Sequence, residues 1–171
     1  PEKKTIAVNG NPVEYDYLII SLGAELKKTL YPRTERAYNF YCLEGVRLAG
    51  EAIKKFHEGR VVLLIAGVPF KCPAAPYETA FLLDSFFKGK RDRVEIELWT
   101  PETLPMPAAG PVIGNAIKEM LRVRNIRFNP EHKIKTISEG KLVFENGATS
   151  TFCTRGGQKS KSCRRERMDS G

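Results

Sequence analysis

Residues 60–87 read "RVVLLIAGVPFKCPAAPYETAFLLDSFF". The first eight, "RVVLLIAG", form a short apolar run closed by a glycine, the pattern of a strand buried on both faces. From Ala75 the segment "APYETAFLLDSFFKG" reads as a helix, with Pro76 suited to its first turn. A strand, a tight turn and a helix make a βα unit. In α/β proteins that turn commonly holds phosphate on glycines, because a chain without side chains can approach the ligand at the helix N-terminus. Here only Gly67 remains of a G-x-G-x-x-G pattern. Pro69, Pro73 and Pro76 remove N–H donors where phosphates would need them. The turn is a poor cradle for a nicotinamide dinucleotide. A thiol stands there instead. Cys72 precedes the helix, whose positive dipole end favours a thiolate, and Lys71 adds a cation beside it. Two readings stay open for Cys72, a reactive thiol or a small buried residue that fills the turn.

Working outward, the same alternation continues. "RDRVEIELWT" (91–100) sets Val94, Ile96 and Leu98 against charged neighbours, a strand. "PETLPMPAAGP" is a proline-rich loop, and "VIGNAIKEMLRVRNI" (112–126) is an amphipathic helix. "RFNPEHKIKTISEGKLVFENGAT" (127–149) gives two or three short strands with a hairpin around "SEGK". The order β-α-β-α-β-β predicts a Rossmann-like α/β fold, a mostly parallel sheet with helices on both faces. Upstream, "CLEGVRLAGEAIKKFHEG" (42–59) has apolar residues close to helical spacing. "KKTIAVNGNPVEYDYLIISLGA" opens with short strands around the turn "NGNP". Its second half, "YDYLIISLGA", reads as the last strand of a sheet buried on both faces.

The 171 residues suffice for one ordinary domain with a real core, and 42% hydrophobic against 28% charged residues exclude a disordered chain. No apolar run approaches the roughly 20 residues of a membrane span. The start, "PEKKTIAVNG", lacks an initiator Met and a signal pattern and enters a strand at once, so a fragment of a longer chain is expected. Of the net charge of +8, half comes from residues 151–171, "TFCTRGGQKSKSCRRERMDSG", with six basic residues against two acidic ones. That Gly-, Ser- and Arg-rich tail is expected to be disordered and aberrant. It would give only nonspecific, salt-sensitive binding to nucleic acid. The cysteines at 42, 72, 153 and 163 match no zinc spacing, so no metal is expected. Trp99 is expected in the core, His57 near the surface and His132 in a loop, with no hydrolase triad around either histidine.

The residues also carry a resemblance. "PVEYDYLIISLGAE" is similar to the segment that closes the FAD domain of flavoprotein disulfide reductases with two dinucleotide domains. "VLLIAGVPFKCPAAPYETAFLLD", including Glu78 and Ala80, resembles the second nucleotide domain of their sulfide:quinone oxidoreductase and flavocytochrome c sulfide dehydrogenase branch. There a cysteine-proline turn replaces the glycines. "WTPETLPMPAAGPVIGNAIKEMLRVRNIRF" continues the match, and the resemblance spans about residues 1 to 152. It implies FAD as cofactor and oxidation of sulfide, with electrons passed to quinone or a cytochrome. It implies a cytoplasmic or peripherally membrane-associated protein. Cys72 matches the redox cysteine of the turn, and Cys42 stands where quinone-reducing members carry a second one. Ser21, Leu22 and Gly23 would meet FAD through their backbone, and Glu78 would be an acid near the flavin or a helix-surface residue. Residues 1–58 would end the FAD domain, 59–150 would form the central Rossmann domain, and 151–171 the aberrant tail. The family's N-terminal G-x-G-x-x-G is absent from these residues. Alternatives are an NADH dehydrogenase-like flavoprotein and a non-enzymatic basic module that binds through the tail.

Overall fold

The fold is given by a computed structural model that describes residues 4–23, 37–138 and 140–152. Three strands, β3 (Gly59–Leu64), β4 (Val94–Trp99) and β5 (Ile126–Asn129), pair in parallel in that order. Parallel neighbours need long crossovers. These are α2 (Ala75–Phe86) and α3 (Gly110–Val123), while α1 (Leu43–Lys54) precedes β3. The predicted βαβαβ order is borne out.

Side chains along a strand alternate between faces, and both faces of this sheet are covered. On one face Leu63, Val94, Ile96, Leu98 and Ile126 pack with Ala80 and Leu83 of α2, Leu121 of α3 and Phe87. Ile53 of α1 joins the same cluster. On the other face Val62, Leu64 and Trp99 meet Ile134, Leu142 and Phe144. Those three come from an antiparallel meander of β6 (Ile134–Ser138), β7 (Lys141–Phe144) and β8 (Thr149–Thr151). The parallel α/β sheet is as predicted, but its second face carries this small sheet rather than helices. The physical reason lies in the period of the sequence. "KLVF" alternates outward Lys141 with inward Leu142 and Phe144, and the apolar runs after Ile126 are too short for a helix. Trp99 is in the core as expected, stacked on Phe144 at 4.6 Å with His132 edge-on at 4.7 Å.

One charged residue lies under the meander. Glu97 of β4 is 1% exposed. One carboxylate oxygen pairs with Arg60 Nε at 3.0 Å and with Arg127 Nη1. The other accepts Trp99 Nε1 at 2.8 Å and Ser150 Oγ at 3.4 Å. The cluster therefore joins β3, β4, β5 and β8.

At the N-terminal side β1 (Thr5–Val8) and β2 (Asn11–Glu14) form a hairpin. Asn9 and Gly10 both have positive φ, 51° and 83°, as a two-residue turn between twisted strands requires. The predicted strand "YDYLIISLGA" is not formed: residues 15–23 are irregular, with Tyr17 93% and Leu22 92% exposed. A strand buried on both faces exists only beside hydrogen-bonded neighbours. The described residues supply none for this stretch. The predicted tail starts too early, because Thr151 belongs to β8; its residues 153–171, with Cys153 and Cys163, lie outside the described residues. Among the described residues no helix is long and apolar enough to cross a membrane.

Candidate active site

β3 ends at Leu64, and the chain crosses the carboxyl edge of the parallel sheet before α2 begins at Ala75. In open α/β sheets ligands bind at that edge. Phe70 anchors the turn by packing into the helix-side core, and Pro76 is buried in the first turn of α2. Between these anchors Lys71, Cys72 and Pro73 are exposed. Cys72 is a free, exposed thiol. The reading of Cys72 as a buried turn filler is thereby corrected. Its backbone has φ 53°, in the left-handed region. That conformation costs a residue with a side chain about 1–2 kcal/mol, so neighbouring contacts must hold it. Ala75 N–H donates to the Cys72 carbonyl at 3.1 Å. A second donor reaches the same carbonyl from far along the chain: the hydroxyl of Tyr41, at 3.4 Å.

Tyr41 precedes Cys42, the N-cap residue of α1. Asn39 knots this segment. Its Oδ1 accepts the Tyr41 amide at 3.0 Å, and its carbonyl accepts both the amide and the thiol of Cys42 at 3.4 Å. The Phe40 ring stacks on Tyr41 with centroids 4.8 Å apart and also packs against the helix-side core. Cys42 is free and exposed. The fold thus brings the segment of Cys42 against the turn of Cys72 through Tyr41. Partial burial, and then the charge of Cys72, push the Tyr41 phenol above its ordinary pKa, so it stays a neutral donor. Sequence reasoning missed Tyr41 and Asn39. The available signal was "NFYC", two aromatics directly before a helix start.

Gly45 shows how tightly the knot is held. A Cβ there would lie 1.9 Å from the Asn39 carbonyl oxygen and 2.7 Å from its carbon. Gly→Ala inside a helix ordinarily stabilises by about 1 kcal/mol. Gly45→Ala is expected to do the reverse and lower stability by about 1–3 kcal/mol, because backbone must move. Chemical denaturation checks the sign, and a stabilised variant would mean that the Asn39 segment yields to a methyl group without cost.

A second network closes the edge of β4. The buried Tyr77 hydroxyl donates to Glu102 Oε2 at 3.2 Å, and Thr100 Oγ1 lies 3.3 Å from the same oxygen. Burial first, and Glu102 second, push the Tyr77 phenol far above its ordinary pKa. It acts as a tether for the proline-rich loop, not as an acid. Glu78 is exposed in the first turn of α2. His57 is exposed, with Lys90 Nζ 3.2 Å from its Nδ1, and His132 stands in a loop, both as expected. Ser21, Leu22 and Gly23 lie in the exposed 15–23 segment, and no hydrogen bond among the described residues ties them to either thiol. Among the described residues no cluster of His, Cys, Asp or Glu could hold a metal ion.

No family model matches the chain, and no curated protein does. Solved structures do. The sulfide:quinone oxidoreductase from Aquifex aeolicus matches with a TM-score of 0.63 at 22% identity, covering 87% of this chain and 37% of that one. The NAD-dependent persulfide reductase from A. fulgidus matches at 0.60 and 20% identity, covering 88% and 28%. The ferredoxin reductase for the CYP199A2 system from Rhodopseudomonas palustris matches at 0.61 and 16% identity, covering 88% and 36%. The chain has the fold of these oxidoreductases. It spans about a third of their length. In this fold the thiol turn follows the first parallel strand of the sheet, where open α/β proteins commonly hold a phosphate.

Proposed function

We propose that this chain is the central part of an FAD-dependent oxidoreductase of the disulfide-reductase type, and that it oxidises sulfide through Cys72 with Cys42 as its partner. Residues 59–150 are its Rossmann-like unit and residues 1–58 belong with the flavin domain. The observation that carries the reading is the exposed Cys72 at the carboxyl edge of the parallel sheet, with the Cys42 segment hydrogen-bonded to its turn. The similarity to a sulfide:quinone oxidoreductase and a persulfide reductase supports sulfur chemistry.

FAD would be met by the backbone of residues 21–23. Gly23 has φ 72° and nothing within 4 Å of where a Cβ would stand, so a flat ring system can approach its backbone, with Ser21 and Leu22 beside it. Bound FAD would supply the two-electron oxidation that returns the thiols to a disulfide, with quinone or a cytochrome as final acceptor. The chain's own residues do the sulfur exchange. Hydrosulfide attacks one sulfur of a Cys42–Cys72 disulfide. The old S–S bond breaks, a new one makes a persulfide, and the other cysteine leaves as thiolate with the electron pair. A second hydrosulfide then takes the outer sulfur as hydrodisulfide and releases the second cysteine as thiolate, so that two thiolates stand ready for reoxidation. Pro69, Pro73 and Pro76 disfavour a pyrophosphate at α2.

A second reading, an NADH-oxidising flavoprotein, is favoured by the similarity to the water-forming NADH oxidase from Lactobacillus brevis at a TM-score of 0.57. Anaerobic mixing of the flavin-bearing protein with sulfide or with NADH separates the two. Sulfide is expected to bleach the flavin absorbance and NADH to leave it. Bleaching by NADH alone would overturn the sulfide reading.

A further inference from the structure

Tyr41 has no role in the exchange chemistry proposed above, yet it ties the two thiol-bearing segments together. Its hydroxyl donates to the Cys72 carbonyl across 31 positions of sequence. Its amide is fixed by Asn39, whose carbonyl also holds the Cys42 amide and thiol. Its ring is fixed by the stack on Phe40. The residue it grips has a left-handed backbone that needs outside support. From this geometry we infer that Tyr41 is a positioning residue, a clamp that sets the effective concentration of Cys42 toward Cys72. The inference rests on the proposed pairing of these two cysteines.

The clamp acts on local geometry, not on global packing. Tyr41 is only half-buried, so loss of its hydroxyl alone leaves the core intact. Phenylalanine keeps the ring and its stack. The hydroxyl's removal frees the Cys72 carbonyl from one of its two donors and lets the turn move relative to the Asn39 knot. A hydrogen bond at 3.4 Å is long, so the effect belongs at the lower end for such bonds, about threefold in an equilibrium constant.

The test uses the full chain carrying Cys153→Ser and Cys163→Ser, which leaves two thiols. The protein is equilibrated with reduced and oxidised glutathione, and the Cys42–Cys72 disulfide is quantified by peptide mass. Formation of that disulfide consumes one oxidised glutathione and releases two reduced molecules, so the ratio at half-oxidation reports the effective concentration directly. In Tyr41→Phe that concentration is expected to fall about threefold while the thermal midpoint stays unchanged. Tyr41→Leu loses the ring stack too. It is expected to show a lower thermal midpoint with the same threefold fall, which separates the clamp from a merely structural role. A Tyr41→Phe protein with the parent's effective concentration would overturn the clamp and leave the pairing standing. A parent protein that forms no Cys42–Cys72 disulfide would overturn the pairing itself, and the clamp with it.

Discussion

Cys72→Ser is expected to abolish the sulfur uptake proposed for this chain, lowering the rate of persulfide formation by at least about a hundredfold. The reason is electronic. A serine hydroxyl can neither form the disulfide that hydrosulfide attacks nor leave as a stabilised anion. The expected cost in stability is small, within about 0.5 kcal/mol, because the side chain is exposed and serine preserves its size. Both halves can be read on the same samples. The oxidised protein is mixed with sulfide, and the gain of one sulfur atom at position 42 or 72 is followed by mass spectrometry beside a thermal melt. Cys42→Ser should also lose the exchange, since one half of the disulfide is gone. It should keep α1, because Cys42 makes no side-chain cap bond that could be lost and serine is a good N-cap residue. Undiminished sulfur uptake in Cys72→Ser would remove the thiol turn from the reaction and leave it a structural feature of the sheet edge.

How much of this was legible in the sequence differs from element to element. The βα unit around Cys72 was, because a short apolar run, a proline-rich turn and a helical period are local signals that need no partner. The hairpin at Asn9 and Gly10 was legible for the same reason, since the turn chemistry is written in two adjacent residues. "YDYLIISLGA" was misread because a strand is a relation between segments. Its apolar residues meet no neighbouring strand among the described residues, and Tyr17 and Leu22 stand exposed. The second face of the sheet was misassigned because parallel strands are commonly covered by helices on both sides. Here a meander of alternating residues covers one of them. At the site, the two thiols were named from sequence, but what joins them was not. Tyr41 and Cys72 meet only through the fold, and an aromatic in a loop before a helix carries no mark of its distant acceptor. Glu97 was hidden by its own pattern. In "RVEIEL" the acids alternate with apolar residues, as on a strand with one wet face. Only the packing of the meander turns that face inward.

Glu97→Ala is for that reason expected to be strongly destabilising, by about 3–5 kcal/mol. The carboxylate is 1% exposed, so its desolvation is offset by its partners: two guanidinium groups, an indole N–H and a hydroxyl. Truncation leaves the Trp99 N–H buried without an acceptor, which costs about 1–3 kcal/mol by itself. It also takes the Nε partner from Arg60 and opens a cavity beside it, although Glu95 Oε2 at 3.3 Å still supplies a counter-charge. Arg127 is more than half exposed and recovers water, so its share is small and the total falls toward the lower bound. Glu97→Gln discriminates between charge and hydrogen bonding. It can still accept from Trp99 and Ser150 but loses the ion pairs, and its loss should be intermediate. Against the roughly 5–15 kcal/mol that separates folded from unfolded domains, the alanine variant would unfold at markedly lower urea. The same change would loosen β8 from the parallel sheet, so amide exchange should rise first across residues 141–151. A loss below about 1 kcal/mol for Glu97→Ala would mean that apolar packing of Trp99 and Phe144 alone holds the meander in place. The buried acid would then be tolerated by the fold rather than required by it.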